Sequence, residues 1–266
     1  MSYTIECAYV SHIGNIRTNN EDNFWCMGDY LEQEHISSAI REMNVPQSEM
    51  PVFAVFDGMG GEAKGEIASY LATCELNNCY VESKNRGENI NFERLLLSSC
   101  GRMNRAVSDF AKTQRVGTMG TTAALIGFGP EEIYICNVGD SRIYHQYDDS
   151  IKAISTDHVA SISGAGKKAS LTQYIGMEQS GIPLQPSMAK GTYHRDDSFL
   201  ICSDGLSDML SRKEIFHTLD ADIPITDAVR ELLEKALSKG GNDNITIVLC
   251  RINKDRTSKF WTKIIG

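Results

Sequence analysis

The chain has 266 residues, 41% of them hydrophobic and 23% charged, with a formal net charge of −9. That length and apolar share suit one large domain with its own core, or at most two small ones. Bulk electrostatics of this sign do not favour nucleic acid or an anionic membrane surface, and no apolar run is long enough to span a bilayer.

In chain order, residues 3–10 (Y-T-I-E-C-A-Y-V) alternate well enough for a strand, whereas 31–50 are polar and poorly patterned and read as a surface excursion. The run V-F-A-V-F-D at 52–57 reads as a buried strand ending in Asp then Gly. Ile67, Ala68, Leu71 and Cys74 fall at helical spacing within 62–80; 83–91 is Gly/Asn-bearing loop, and 92–112 is a second long helix. The period then changes. T-T-A-A-L-I-G-F, E-I-Y-I-C-N-V, R-I-Y-H-Q-Y and S-I-K-A-I-S succeed one another across short turns, the pattern of an antiparallel meander. A further buried strand is expected at 199–204, a helix at 226–238 with Ala228, Val229, Leu232, Leu233 and Ala236 on one side, and a last strand at 245–252. Strands and helices come in blocks rather than in strict alternation, which argues for an α+β domain with antiparallel sheets.

None of the eight cysteines forms a C-x-x-C pair and most sit inside apolar runs, so buried reduced thiols are expected. The start, M-S-Y-T-I-E-C, lacks the basic and apolar parts of a signal peptide, which points to the cytoplasm. G-M-G-G-E-A at 58–63 formally fits a dinucleotide-binding turn. Asp57 would repel a pyrophosphate there, and the rest of the chain lacks the βαβ rhythm of that fold. There is no P-loop, G-x-S-x-G or H-E-x-x-H, and His158 reads as a turn or packing residue.

Six short segments remain: R-T-N-N-E-D at 17–22, F-D-G-M-G-G at 56–61, G-T-T-A-A at 120–124, N-V-G-D-S-R at 137–142, C-S-D-G-L-S-D at 202–208 and G-N-D-N-I-T at 241–246. Asp-Gly and Asn-Asp pairs are ordinary turn formers, so each alone has a structural explanation. Together they place acidic residues beside Gly or Ser at the ends of apolar runs, which is how a fold delivers carboxylates from strand ends to one point. Carboxylates so gathered repel unless cations lie between them, and hard divalent ions such as magnesium or manganese suit oxygen ligands.

In their order these stretches, with S-T-D-H at 155–158, resemble the metal-dependent PPM family, the type 2C serine/threonine protein phosphatases, and the D-G-M-G-G form resembles compact bacterial members. The resemblance runs from about residue 8 to about residue 252. It implies a four-layer α/β/β/α sandwich of two antiparallel sheets flanked by helices, within a single catalytic domain over 1–253 followed by a basic and aromatic tail at 254–266. It further implies two core ions, Mn2+ or Mg2+. Asp57 would bridge them, the Gly58 carbonyl would bind one, and Asp204 and Asp243 would hold the other. Glu21 and Asp22 would complete the shell, Asp140 would help hold a third, weaker ion, and Arg17 would bind phosphate. Asn244 is expected to orient Asp243, with Thr121 and Thr122 structural. The implied reaction is hydrolysis of phosphoserine and phosphothreonine in proteins by a metal-activated water, in a monomer that opposes a Ser/Thr kinase. The alternative is a catalytically weak pseudophosphatase that binds phosphoproteins.

Two features depart from the family pattern. Met59 stands where some members carry a His proposed to protonate the leaving group. After S-T-D-H the flap near 157–180 is shortened and rich in Gly, Ser and Lys, with Lys167 and Lys168 read as a solvated basic turn. The tail, with Phe260, Trp261, Ile264 and Ile265, is expected to pack as an ordinary chain end.

Overall fold

The structure is a computed structural model that describes residues 3–60, 64–86, 90–160, 170–177 and 181–254. Two antiparallel sheets stack face to face. One joins β10 (Ser150–Ala153), β9 (Arg142–Tyr147), β12 (Ser198–Cys202), β13 (Ile245–Lys254), β1 (Tyr3–His12) and β4 (Arg41–Pro46), in that order. The other runs β11 (Ser187–Thr192), β8 (Glu132–Val138), β7 (Ala123–Phe128), β5 (Val52–Gly60), β2 (Asp22–Cys26) and β3 (Asp29–Tyr30), with β6 (Met119–Thr121) paired to the far end of β5. Helices α1 (Gly65–Asn85) and α2 (Phe92–Gln114) cover the second sheet; α4 (Arg212–Leu219) and α5 (Ile225–Ser238) cover the first, and α3 (Asp204–Ser207) is a single turn. The expected four-layer α/β/β/α arrangement is present.

Strand periodicity builds these layers. Successive side chains point to opposite faces, so a strand covered on both faces must be apolar throughout. In β5, Val52, Ala54 and Phe56 pack under the helices while Phe53 and Val55 pack between the sheets. In β13, Ile245, Ile247 and Leu249 face α5, and Val248, Cys250 and Ile252 face the other sheet. Helix α5 buries the five residues its pattern named, together with Ile225. All eight cysteines are unpaired by disulfides, and all but the half-buried Cys74 are buried.

Four local expectations are corrected. The polar stretch 31–50 contains β4, which pairs with β1 through Thr4↔Pro46 to Tyr9↔Arg41. As an edge strand it buries only Val45, so it carries almost no hydrophobic pattern. Helix α1 runs on to Asn85, into the stretch expected as loop. The last buried strand before α3 ends at Cys202, and Asp204 already belongs to the helical turn. Finally, the meander is divided: β7 and β8 belong to one sheet, β9 and β10 to the other. The chain crosses between them at residues 139–141, the turn that carries Asp140.

Candidate active site

The acidic segments lie at one end of the sandwich. Asp22 opens β2 and faces Asp57 in β5 as its direct antiparallel partner. Thr246 reaches across from the first sheet, its hydroxyl donating to Asp22 Oδ2 at 2.7 Å, so the two sheets are joined at the carboxylates themselves.

Asp57 stands where β5 changes partner. Residues 52–55 pair with β7, and residues 58–60 pair with β6. Between them, Thr122 takes over the ladder: the Asp57 amide donates to Thr122 Oγ1 at 2.9 Å, and the Thr122 amide donates to the Asp57 carbonyl at 2.8 Å. Thr121 Oγ1 donates to that same carbonyl. Thr122 Oγ1 also lies 2.6 Å from Ser141 Oγ, beside Asp140. The expected structural threonines therefore act at the site by fixing the backbone of its central carboxylate.

Gly58 shows why a glycine is required after that carboxylate. A Cβ there would lie 2.3 Å from the Gly65 carbonyl oxygen and 2.4 Å from that of Glu21, too close for any side chain. The Gly58 amide donates to the Glu21 carbonyl at 3.1 Å. Glu21, the end of β5 and the start of α1 thus converge at backbone distance. Gly61 and Glu62 of the same motif lie outside the described residues.

Asn244 works differently from expectation. Its side chain accepts from the Glu21 amide at 2.8 Å and donates to the Ile13 and Asn19 carbonyls, both at 2.9 Å. It therefore ties down the 13–21 loop; Asp243 Oδ1 is held instead by the Asn244 backbone amide at 2.9 Å. Arg17 Nη2 lies 2.7 Å from Asp243 Oδ2, which raises the Arg17 pKa. His158 is half-buried. Its Nδ1 accepts from the Gly139 amide at 3.1 Å, leaving Nε2 to donate to Ser187 Oγ at 2.9 Å, so the ring pins the Asp140 turn in one tautomer. Burial lowers its pKa, in keeping with a neutral ring.

Electrostatics mark the site strongly. Burial, followed by the charges of Asp204, Asp22, Asp140 and Asp243, holds the Asp57 carboxyl well above the usual range. Burial is also the main cause at Asp22, which is pushed up to about 7 against the hydrogen bonds of Thr246 and Ser203 and with the charges of Asp204 and Asp243. Glu21 is raised by burial and then by Glu66, whose Oε2 accepts from Asn19 Nδ2 at 3.0 Å. The carboxylates face one another within electrostatic range. Among the described residues, no group of three or more His, Cys, Asp or Glu side chains is placed so that it could hold a metal ion. Sequence reading placed the acidic residues but missed Thr246, Ser203, Ser141 and Glu66, which carry no signal apart from adjacency to the acidic segments.

A sequence profile described as protein phosphatase 2C matches residues 43–246. The chain belongs to the protein phosphatase 2C family. It is similar to the protein phosphatase PhpP of Streptococcus pneumoniae serotype 2, with 27% identity over 94% of this chain and 99% of that one. Among solved structures, the Mycobacterium tuberculosis serine/threonine phosphatase PstP/Ppp superposes with a TM-score of 0.75 at 25% identity, covering 94% of this chain and 100% of that one. A structure of the PstP catalytic domain in complex with two manganese ions gives a TM-score of 0.73 at 25% identity, over 96% of this chain and 100% of that one. As a protein phosphatase 2C, this chain is a phosphoric monoester hydrolase. No helix among its described residues is long and apolar enough to cross a membrane.

Proposed function

We propose that this phosphatase hydrolyses phosphoserine and phosphothreonine in proteins with the help of two divalent cations, Mn2+ or Mg2+. The observation that carries the reading is the pairing of Asp22 and Asp57 as direct antiparallel partners, a buried position where burial first, and then the charges of Asp204, Asp22, Asp140 and Asp243, raise the Asp57 pKa. An all-oxygen donor set with surplus negative charge fits a hard divalent cation. Asp57 would bridge the pair, Gly58 would offer its carbonyl, Asp204 and Asp243 would hold one ion, and Glu21 and Asp22 would complete the shell. Asp140 would serve a third, weaker ion. When bound, such cations lower the pKa of water and neutralise phosphoryl charge.

The chain's own residues supply the rest. The Arg17 guanidinium, half-exposed at the rim, presents a planar fork suited to two phosphate oxygens. Asn244 and Gly58 hold Glu21 against β5 beside Asp57. Met59 carries no transferable proton, so protonation of the leaving group does not come from that position. Of the flap of 157–180, expected from the sequence to be shortened, residues 161–169 and 178–180 (with Lys167 and Lys168) lie outside the described residues. The physiological setting that follows is a monomer in the cytoplasm that opposes a Ser/Thr kinase within a single catalytic domain.

The test is phosphate release from a phosphothreonine peptide with manganese, without it and after chelation. Metal-dependent turnover that chelation removes, and that Asp57→Asn and Asp204→Asn each abolish without unfolding the protein, supports the assignment. A folded, metal-supplied protein that never turns over would be a phosphoprotein-binding module instead.

A further inference from the structure

Where α1 ends and α2 begins, the two helices leave a cleft of about 250 Å³ that three arginines line. Arg102 is already engaged: its Nε donates to Glu75 Oε2 at 3.0 Å and its Nη1 to Glu82 Oε2 at 2.8 Å. Arg86 and Arg94 are exposed and form no ion pair among the described residues. Two positive charges without a carboxylate partner there thus share one cleft, on a chain whose net charge is −9. The walls also hold neutral donors. Asn91 Oδ1 accepts from the Arg94 amide at 2.9 Å, which leaves Asn91 Nδ2 to donate, and Ser83 adds a hydroxyl.

We propose that this cleft binds a second phosphate monoester carried by the protein substrate, a phosphoserine or phosphothreonine that docks while another is hydrolysed. The inference rests on the substrate class proposed above. A phosphate monoester is close to a dianion at neutral pH, so it balances both arginines. Its three free oxygens suit the guanidinium forks together with the Asn91 amide and the Ser83 hydroxyl. A carboxylate would balance only one charge and offer two oxygens. The position fits a docking role as well. Helix α1 begins at Gly65, which lies against Gly58 of the candidate active site, and it reaches the cleft at Ser83. Eighteen residues of helix, at about 1.5 Å each, separate the two places by roughly 27 Å. An extended chain covers that distance in about eight residues, so the docked and reacting phosphates stand about ten residues apart on the substrate. At that distance the cleft acts on substrate affinity and not on the chemical step.

Two measurements on the full chain test this. The first is anisotropy of a fluorescein-labelled peptide carrying one non-hydrolysable phosphonate mimic of phosphoserine, in chelator, which reads the cleft without turnover. Arg86→Glu with Arg94→Glu should weaken binding about tenfold or more, and Arg17→Ala should leave it unchanged. The second, with manganese, uses a phosphothreonine peptide that bears the phosphonate about ten residues before or after the phosphothreonine. In one of the two placements its KM should fall about tenfold below that of the plain peptide, at equal kcat. The double variant should return that KM to the plain value. Its unchanged kinetics on the plain peptide would show that it is folded. The proposal is overturned if the unphosphorylated peptide binds equally well, or if binding survives the double substitution. It is equally overturned if the phosphonate lowers KM in neither placement while the plain peptide turns over. Inorganic phosphate that displaces the peptide at the peptide's own concentration would assign the cleft to free phosphate and refute the docking role. Phosphonate binding through Arg86 and Arg94 in a protein that turns over nothing would keep the phosphate site and refute the catalytic reading instead.

Discussion

Replacing Asp57 with Asn should stabilise the protein under chelation while destroying its activity. Asp22 and Asp57 are direct antiparallel partners, which puts their Cβ atoms about 5 Å apart on one face. At a charge separation of about 6 Å and an effective dielectric near 20, two full charges repel by roughly 3 kcal/mol. Asp22, pushed up to about 7, is half-protonated at neutral pH, so relief there is about half as large. The sign follows from proton counting. Both carboxyls titrate higher in the folded than in the unfolded chain, so the folded state binds more protons between the ordinary aspartate pKa and about 7, and stability falls as pH rises through that window. The Asp57→Asn variant escapes this loss. Its advantage over wild type, read by urea unfolding in chelator, should be near zero at pH 5 and reach about 1–3 kcal/mol at pH 8, or a few degrees in Tm. Any packing penalty of the amide is the same at both pH values, so the difference between them is the measurement. An advantage that does not grow with pH would refute mutual repulsion as the property of this site.

Other perturbations read single contacts. Thr246→Val removes the 2.7 Å bond to Asp22 and the 2.9 Å bond to Ser11; it should cost about 1–3 kcal/mol in urea unfolding and steepen the loss of stability between pH 4 and 7. Gly205→Ala would set a Cβ 1.9 Å from the Asn244 carbonyl oxygen, so a loss of about 1–3 kcal/mol or more is expected, with weaker manganese binding by calorimetry as Asn244 releases the Glu21 loop. Arg17→Lys keeps the charge and loses the fork; kcat/KM on a phosphopeptide should fall about tenfold, and an unchanged value would exclude bidentate binding. His158→Phe deletes the bonds to Gly139 and Ser187 and should cost about 1–2 kcal/mol, with faster amide exchange confined to the Asp140 turn and the start of β11.

The residue pattern alone determined the buried strands and the three long helices, because an element covered by core writes its period into its apolar positions. V-F-A-V-F and I-T-I-V-L-C were legible for that reason, as was the apolar side of α5. It also placed the acidic residues near strand ends, although β5 runs on past Asp57 to Gly60, where it pairs with β6. Tertiary structure decided what has no periodic trace. Edge strands β4 and β11 bury too little to show a pattern. Division of the meander between two sheets turns on a three-residue crossing at 139–141, where local sequence gives only a turn. Ser141, Ser203 and Thr246 are ordinary hydroxyls until folding brings them against Thr122 and Asp22. Hydrogen bonds between residues more than two hundred positions apart, such as Thr246 to Asp22, leave no local mark because their geometry exists only once both sheets have stacked.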